Sequence, residues 1–202
     1  MMELAKEVKL AKEKLNQHGI VCFPTETVMG LGVLFDDFEA YNKLNSVKRR
    51  PEDKPYTLMV KSKEDLHKYG VIDDATQRVI DAFMPGSLTI LVPLKEGSVP
   101  AYVTHGGNVI GMRIPTNEEA LALLKEVGKP LLVPSANRSG EAPALSKEEA
   151  IKIFGEEVDF YISGTAKKEV PSTIVDLTNG SVKVVRQGPI SEEEIKRVYF
   201  NK

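Results

Sequence analysis

The chain has 202 residues, 42% of them hydrophobic, which is enough for one substantial core and does not call for a second. Its 27 basic and 29 acidic side chains leave a formal charge of −2, so no global field draws in nucleic acid or an anionic membrane and any anion site has to be local. A single cysteine excludes an internal disulfide and a cysteine-based zinc site, and neither a signal-peptide core nor an apolar run near the ~20 residues of a membrane span is present, so a cytoplasmic protein is expected.

Leu4, Val8, Ala11 and Leu15 share one face at helical spacing, and Gly19 stands where a left-handed cap would end that helix. Ile20 to Phe23 reads as a buried strand, with Cys22 a buried thiol, and Pro24 opens a loop beginning Thr25-Glu26-Thr27. Asp36 and Asp37 cap a helix that turns Phe38, Tyr41, Leu44 and Val47 inward and ends in Lys48-Arg49-Arg50 before Pro51. Thr57 to Val60 is a strand, Ser62 to Tyr69 a short capped helix and Asp73 to Phe83 another, broken by Pro85-Gly86. Leu88 to Leu94 and Val109 to Ile114 are strands joined by a glycine-containing connection, and Asn117 caps a helix through Val127. Leu131 to Pro134 delivers the polar loop Ser135 to Gly140, and Ser146 opens a helix to Phe154. Phe160 to Ile162 is a strand, Thr173 to Leu177 and Val182 to Arg186 flank the hairpin turn Asn179-Gly180, and a last helix follows Ser191. Early alternation and a hairpin-like end predict an α/β domain with a mixed, twisted sheet.

Polar clusters fall at the predicted strand ends, where a sheet presents groups to a shared crevice. They are Thr25 and Thr27, Lys48 and Arg50, Arg113, Ser135 and Asn137, Ser172 and Thr173, and Arg186. Four cations with hydroxyls and an amide suit an oxygen-rich polyanion such as a nucleotide phosphate, yet neither GxxxxGK[ST] nor GxGxxG is present. Each cluster also has a structural reading. Thr25, Thr27 and the Ser135 loop can satisfy turn backbone, Lys48 to Arg50 can be a solvated helix end, and His105 has no second histidine at metal-ligand spacing. Arg113, inside an apolar strand, has to reach solvent or find an anion.

The ordered set of segments resembles the YrdC family. They are Phe23-Pro24-Thr25-Glu26-Thr27-Val28-Met29-Gly30-Leu31-Gly32, Lys48-Arg49-Arg50-Pro51 with Lys54-Pro55, Pro85-Gly86-Ser87-Leu88-Thr89, Met112-Arg113-Ile114-Pro115, Ser135 to Gly140, Pro171-Ser172-Thr173 and Arg186-Gln187-Gly188. The resemblance implies a single YrdC-like domain over residues 1–202, with a motif core of about 15–190, helices packed around the sheet, a central basic cavity and no additional C-terminal domain. Met29 stands where an aromatic residue is common, and Tyr56 to Val60 with Asp65 to Gly70 are similar to the YciO-like branch.

The activity so implied is that of an L-threonylcarbamoyladenylate synthase, a nucleotidyltransferase. It joins L-threonine, bicarbonate and ATP into threonylcarbamoyl-AMP and pyrophosphate for t6A in tRNA. By resemblance Lys48, Arg50, Ser135 and Asn137 form the catalytic tetrad and, with Pro143 and Arg186, contact ATP, while Thr25, Thr27, Arg113, Ser172 and Thr173 hold threonine. Magnesium is expected to arrive with ATP and not on a carboxylate cluster of the protein. A transferase acting on tRNA is the implied downstream partner, and the segment from Arg49 to Tyr56 is a candidate lid. The competing reading is a YciO-like paralogue, or a double-stranded RNA or tRNA-binding protein of the same fold without this activity.

Overall fold

The computed structural model describes residues 2–49, 55–167 and 170–201. In chain order the elements are α1 (Met2–Leu15), β1 (Val21–Phe23), β2 (Gly30–Leu34), α2 (Phe38–Lys48), β3 (Leu58–Met59), α3 (Lys63–Tyr69) and α4 (Asp74–Phe83). There follow β4 (Leu88–Pro93), β5 (Val109–Arg113), α5 (Glu118–Val127), β6 (Leu131–Leu132), α6 (Lys147–Phe154), β7 (Phe160–Tyr161), β8 (Thr173–Asp176), β9 (Lys183–Arg186) and α7 (Glu192–Tyr199). The strands form one mixed sheet in the order β7-β1-β2-β6-β3-β5-β4-β8-β9. Parallel pairs (β1 with β7, β3 with β5, β4 with β8) are interspersed among antiparallel ones, so the expected mixed α/β sheet is present.

Strand alternation divides the apolar residues between two cores. Val21, Phe23, Met59 and Leu131 join Val8, Ala11 and Leu15 of α1 and Leu123 and Leu124 of α5 on one face. Cys22, Leu31, Leu58 and Leu132 turn the other way, toward Leu44 of α2, Ile80 of α4, Phe154 of α6 and Ile195 of α7. Cys22 is fully buried, and loss of hydration pushes its thiol pKa up to about 12. Side-chain caps start the helices where the sequence predicts them: Asp37, Ser62, Asp73, Asn117 and Ser146 each accept a backbone N–H, and Ser191 forms a full capping box with Glu194. Among the described residues no helix is long and apolar enough to cross a membrane.

Three expectations need correcting. The residue in the left-handed conformation after α1 is His18, at φ 59°, and not Gly19. Phe38 is 57% exposed rather than buried, stacked on Tyr41 and tilted against Tyr102 at the surface. The stretch after Thr27 is not all loop: Gly30 to Leu34 forms β2, between β1 and β6. A Cβ on Gly32 would lie 2.8 Å from the Phe23 ring, so the glycine that makes the segment a poor strand former is what lets β2 lie against that aromatic side chain.

Candidate active site

Successive strand ends converge on one cavity of about 130 Å³. The loop after β1 contributes Thr25 and Thr27, the end of β5 Arg113, the exit of β6 Val133, Pro134 and Ser135, the entry of β8 Ser172, and the end of β9 Arg186. A backbone bridge between Gly30 and Ser135 joins the first and third of these walls.

Behind the Ser135 wall sits Lys48, the last residue of α2, only 2% exposed. Its ammonium donates to Ser135 O at 2.5 Å, Asn137 O at 2.7 Å and Asn137 Oδ1 at 3.1 Å. Asn137 Oδ1 also accepts from Ser135 Oγ at 2.6 Å, and its Nδ2 donates to the carbonyls of Arg138 and Glu141. Ser139 N donates to Lys48 O, and Arg138 reaches Val47 O and Glu157, so helix end and loop grip each other from both sides. A solvated helix end is therefore the wrong reading of Lys48. Lys48 and Asn137 buttress the loop that presents Ser135 and do not themselves line the cavity.

On the opposite side Arg113 and Glu26 form an ion pair at 2.7 Å, with side-chain exposures of 7% and 9%. The same Nη2 donates to Thr27 Oγ1 at 3.1 Å and Nε to Gly86 O at 3.1 Å. Arg113 has thus found its anion within the fold, and Glu26, absent from the sequence-based candidates, belongs to the site. Nothing in the spacing marked it, since 87 residues separate the partners. Thr25 Oγ1 donates to Val28 O, accepts from Thr27 N and shares a bond with Thr27 Oγ1, so it closes the turn while also facing the cavity.

Ser172 Oγ lies 3.0 Å from Thr89 Oγ1 and accepts from Arg186 Nη2 at 3.1 Å, while the guanidinium also donates to Ser172 O. Thr173 points away: fully buried, it donates to Ile190 O and accepts from Gly188 N and Ile190 N. Pro143 is half-buried and outside the cavity lining, and Arg50 and most of the candidate lid lie outside the described residues. Of the four predicted cations, Arg113 and Arg186 line the cavity, and Arg113 is already neutralised by Glu26.

Pro55, Tyr56, Thr57, Thr89 and Ile174 also line an adjoining recess of about 360 Å³, completed by Leu91, Val109, Gly111 and Val185 and mostly apolar. The polar chamber alone is smaller than the ~300–1,000 Å³ typical of small-molecule sites, and chamber plus recess fall inside that range. No group of three histidine, cysteine or carboxylate side chains that could hold a metal occurs among the described residues. Arginines and hydroxyls line the polar chamber, which opens on an apolar recess at the strand ends, the place where a sheet fold commonly receives a small molecule.

The chain belongs to the Sua5/YciO/YrdC family, whose model, described as telomere recombination, matches residues 13–188. It is 32% identical over 194 residues to the threonylcarbamoyl-AMP synthase of Pyrococcus abyssi, covering 95% of this chain and 57% of that one. The crystal structure of P. abyssi Sua5 complexed with L-threonine superposes with a TM-score of 0.90 at 31% identity, again over 96% of this chain and 57% of that one. YciO of E. coli superposes with a TM-score of 0.88 at 27% identity, over 95% of this chain and 93% of that one. The chain thus spans little more than half the length of the P. abyssi protein, and nearly all of YciO.

Proposed function

We propose that the chain is an L-threonylcarbamoyl-AMP synthase, a nucleotidyltransferase that joins L-threonine, bicarbonate and ATP. The observation that carries this reading is the placement of Arg113, Thr25, Thr27 and Ser172 in one chamber with Ser135 and Arg186, beside an apolar recess. It is supported by the name of the P. abyssi relative and by the threonine held in that protein's crystal structure.

In this reading Arg113 takes the amino-acid carboxylate, since a guanidinium pairs well with a planar anion. The hydroxyls of Thr25, Thr27 and Ser172 orient the rest of threonine. Ser135 and Arg186 face the phosphates, and the recess under Tyr56 and Val109 receives the adenine. The threonine ammonium first gives up a proton, the free amine adds to bicarbonate-derived carbon dioxide to form a carbamate with loss of a second proton to solvent, and a carbamate oxygen then attacks the α-phosphate as pyrophosphate leaves. Negative charge gathers on the phosphoryl oxygens, so fixed donors and cations contribute more than a strong base. Lys48 and Asn137 act by holding Ser135 in place, Arg50 keeps the phosphate-binding role that the family resemblance implies, and magnesium enters with the triphosphate. The product would pass to a transferase that acts on tRNA in the cytoplasm.

The near-complete overlap with YciO favours a second reading, a YciO-like protein of the same fold that lacks this turnover. Pyrophosphate release from ATP, magnesium and bicarbonate, with and without L-threonine, separates the two. Release that requires threonine and is lost in Arg113→Met supports the synthase; folded protein that releases none under any condition overturns it.

A further inference from the structure

The pair that Arg113 makes with Glu26 has one feature that holding the arginine does not explain. Glu26 is a buried carboxylate, and its Oε1 alone accepts from Nη2. Its Oε2 is sealed from solvent and has no hydrogen-bond partner among the described residues. Buried charged oxygens are normally satisfied, because an unpaired one loses its hydration for nothing in return. A neutral acceptor at Oε1 would hold Nη2 equally well. What the carboxylate adds at this position is negative charge, set against the Arg113 guanidinium.

Among the described residues the hydrogen bonds of Arg113 use Nε and Nη2 only, while Arg113 also lines the cavity. A ligand carboxylate that approaches the guanidinium therefore meets an ion pair whose charge is already cancelled. If the ligand is a bare anion, the buried cluster of two carboxylates and one guanidinium is left with a net negative charge. If it is an α-amino acid, the ammonium arrives with the carboxylate and the cluster stays neutral. At an effective dielectric constant of about 20, two like charges roughly 5 Å apart repel by about 3 kcal/mol, a factor of order 100 in affinity. The carboxylate of a zwitterion meets the same repulsion, but the attraction of its ammonium to Glu26 offsets it; a bare anion has no such compensation.

Resting on the reading that Arg113 binds the threonine carboxylate, we infer that Glu26 is a specificity-determining residue: its buried charge makes the Arg113 end of the chamber select a zwitterionic amino acid over a simple carboxylate. Glu26 does not touch the reacting atoms. It acts through Arg113, by positioning Nη2 and by setting the charge of the pair.

The test is calorimetric binding of L-threonine and of 3-hydroxybutyrate, which is threonine without its ammonium group, to the wild-type protein and to Glu26→Gln. Glutamine keeps an oxygen for Nη2 and removes the charge. The wild type is expected to prefer threonine by about 100-fold, and Glu26→Gln to narrow that preference at least tenfold, chiefly by gaining affinity for 3-hydroxybutyrate. A merely structural role would weaken both ligands together and leave their ratio unchanged, which would overturn the inference while the proposed function stood. Should Glu26→Gln not fold, the wild type still decides: equal binding of the two ligands overturns the selection by charge. Wild-type protein that binds 3-hydroxybutyrate but no threonine, or neither, overturns the proposed function itself and this inference with it.

Discussion

Lys48 and Asn137 are joined twice, the ammonium donating to both the backbone carbonyl and the side-chain oxygen of the asparagine, at 2.7 and 3.1 Å. With the bond to Ser135 O, the lysine serves three oxygens of one loop from the end of α2. Lys48→Met fills much the same space and leaves those oxygens without their donor. It is expected to destabilise the fold by about 2–4 kcal/mol, seen as a lower midpoint in urea, and to loosen Ser135 with it. An unchanged midpoint would show that the loop holds itself.

Two neighbours at the entry of β8 make opposite predictions. Ser172 faces the chamber and Thr173 the interior, where its hydroxyl ties down Gly188 and Ile190. Thr173→Val should cost about 1–3 kcal/mol of stability, since three buried bonds are lost at near-constant shape. Ser172→Ala should leave stability within about 1 kcal/mol and weaken threonine binding instead. Denaturation and calorimetry on the two variants give the comparison, and a large stability loss in Ser172→Ala would contradict it.

Gly188 packs directly on the backbone that carries Ser172. A Cβ there would lie 2.5 Å from Pro171 O and 2.6 Å from Ser172 C, and backbone cannot swing aside as a flexible side chain can. Gly188→Ala is therefore expected to displace the Pro171–Thr173 segment, lowering stability by about 1–3 kcal/mol and threonine affinity severalfold. Amide chemical-shift changes centred on Ser172 would locate the displacement; shifts confined to Gln187 to Ile190 would contradict it.

His18 provides a pH readout at the start of α2. Its imidazole pKa is raised above 6.5, first by the hydrogen bond to Asp37, then by the charges of Asp37 and Glu39. The protonated ring is the form the fold favours. Its contribution is fully present below the unfolded value of 6.5 and is lost as pH rises through the folded value. In Asp37→Asn the cap on Ala40 N can persist through the amide oxygen while the charge is gone, so the His18 midpoint should fall toward 6.5 in an NMR titration. A midpoint unmoved by that change would assign the shift to another cause.

Most of the helices were legible because their starts are written in single residues: a serine, aspartate or asparagine one place before an apolar period is a local signal with a local cause. The mixed sheet followed from the spacing of strands and turns, and some residues of the motif segments, Thr25, Thr27, Arg113, Ser135, Ser172 and Arg186, line the chamber. The failures lie where a distant partner decides. β2 was hidden because its glycines are explained only by side chains far from them in the chain or across the strand pair, the Phe23 ring beside Gly32 and Val133 beside Gly30. Phe38 fits the helical period but lies where α2 offers it solvent and two tyrosines. Glu26 was passed over because its meaning depends on Arg113, far along the chain. Thr173 is a different case, since strand alternation already separates it from Ser172 and was a usable signal.

The pairing of β4 with β8 has a consequence for how the chain is made. Between its hairpin with β5 and the arrival of Thr173 to Asp176, the growing polypeptide carries Leu88 to Leu91 as an open sheet edge of almost wholly apolar residues. Such an edge is a template for pairing with another nascent chain. The same segment supplies Ser172 and, through β9, Arg186, so the chamber and the protection of that edge are completed by one event, the arrival of β8 and β9 at the sheet.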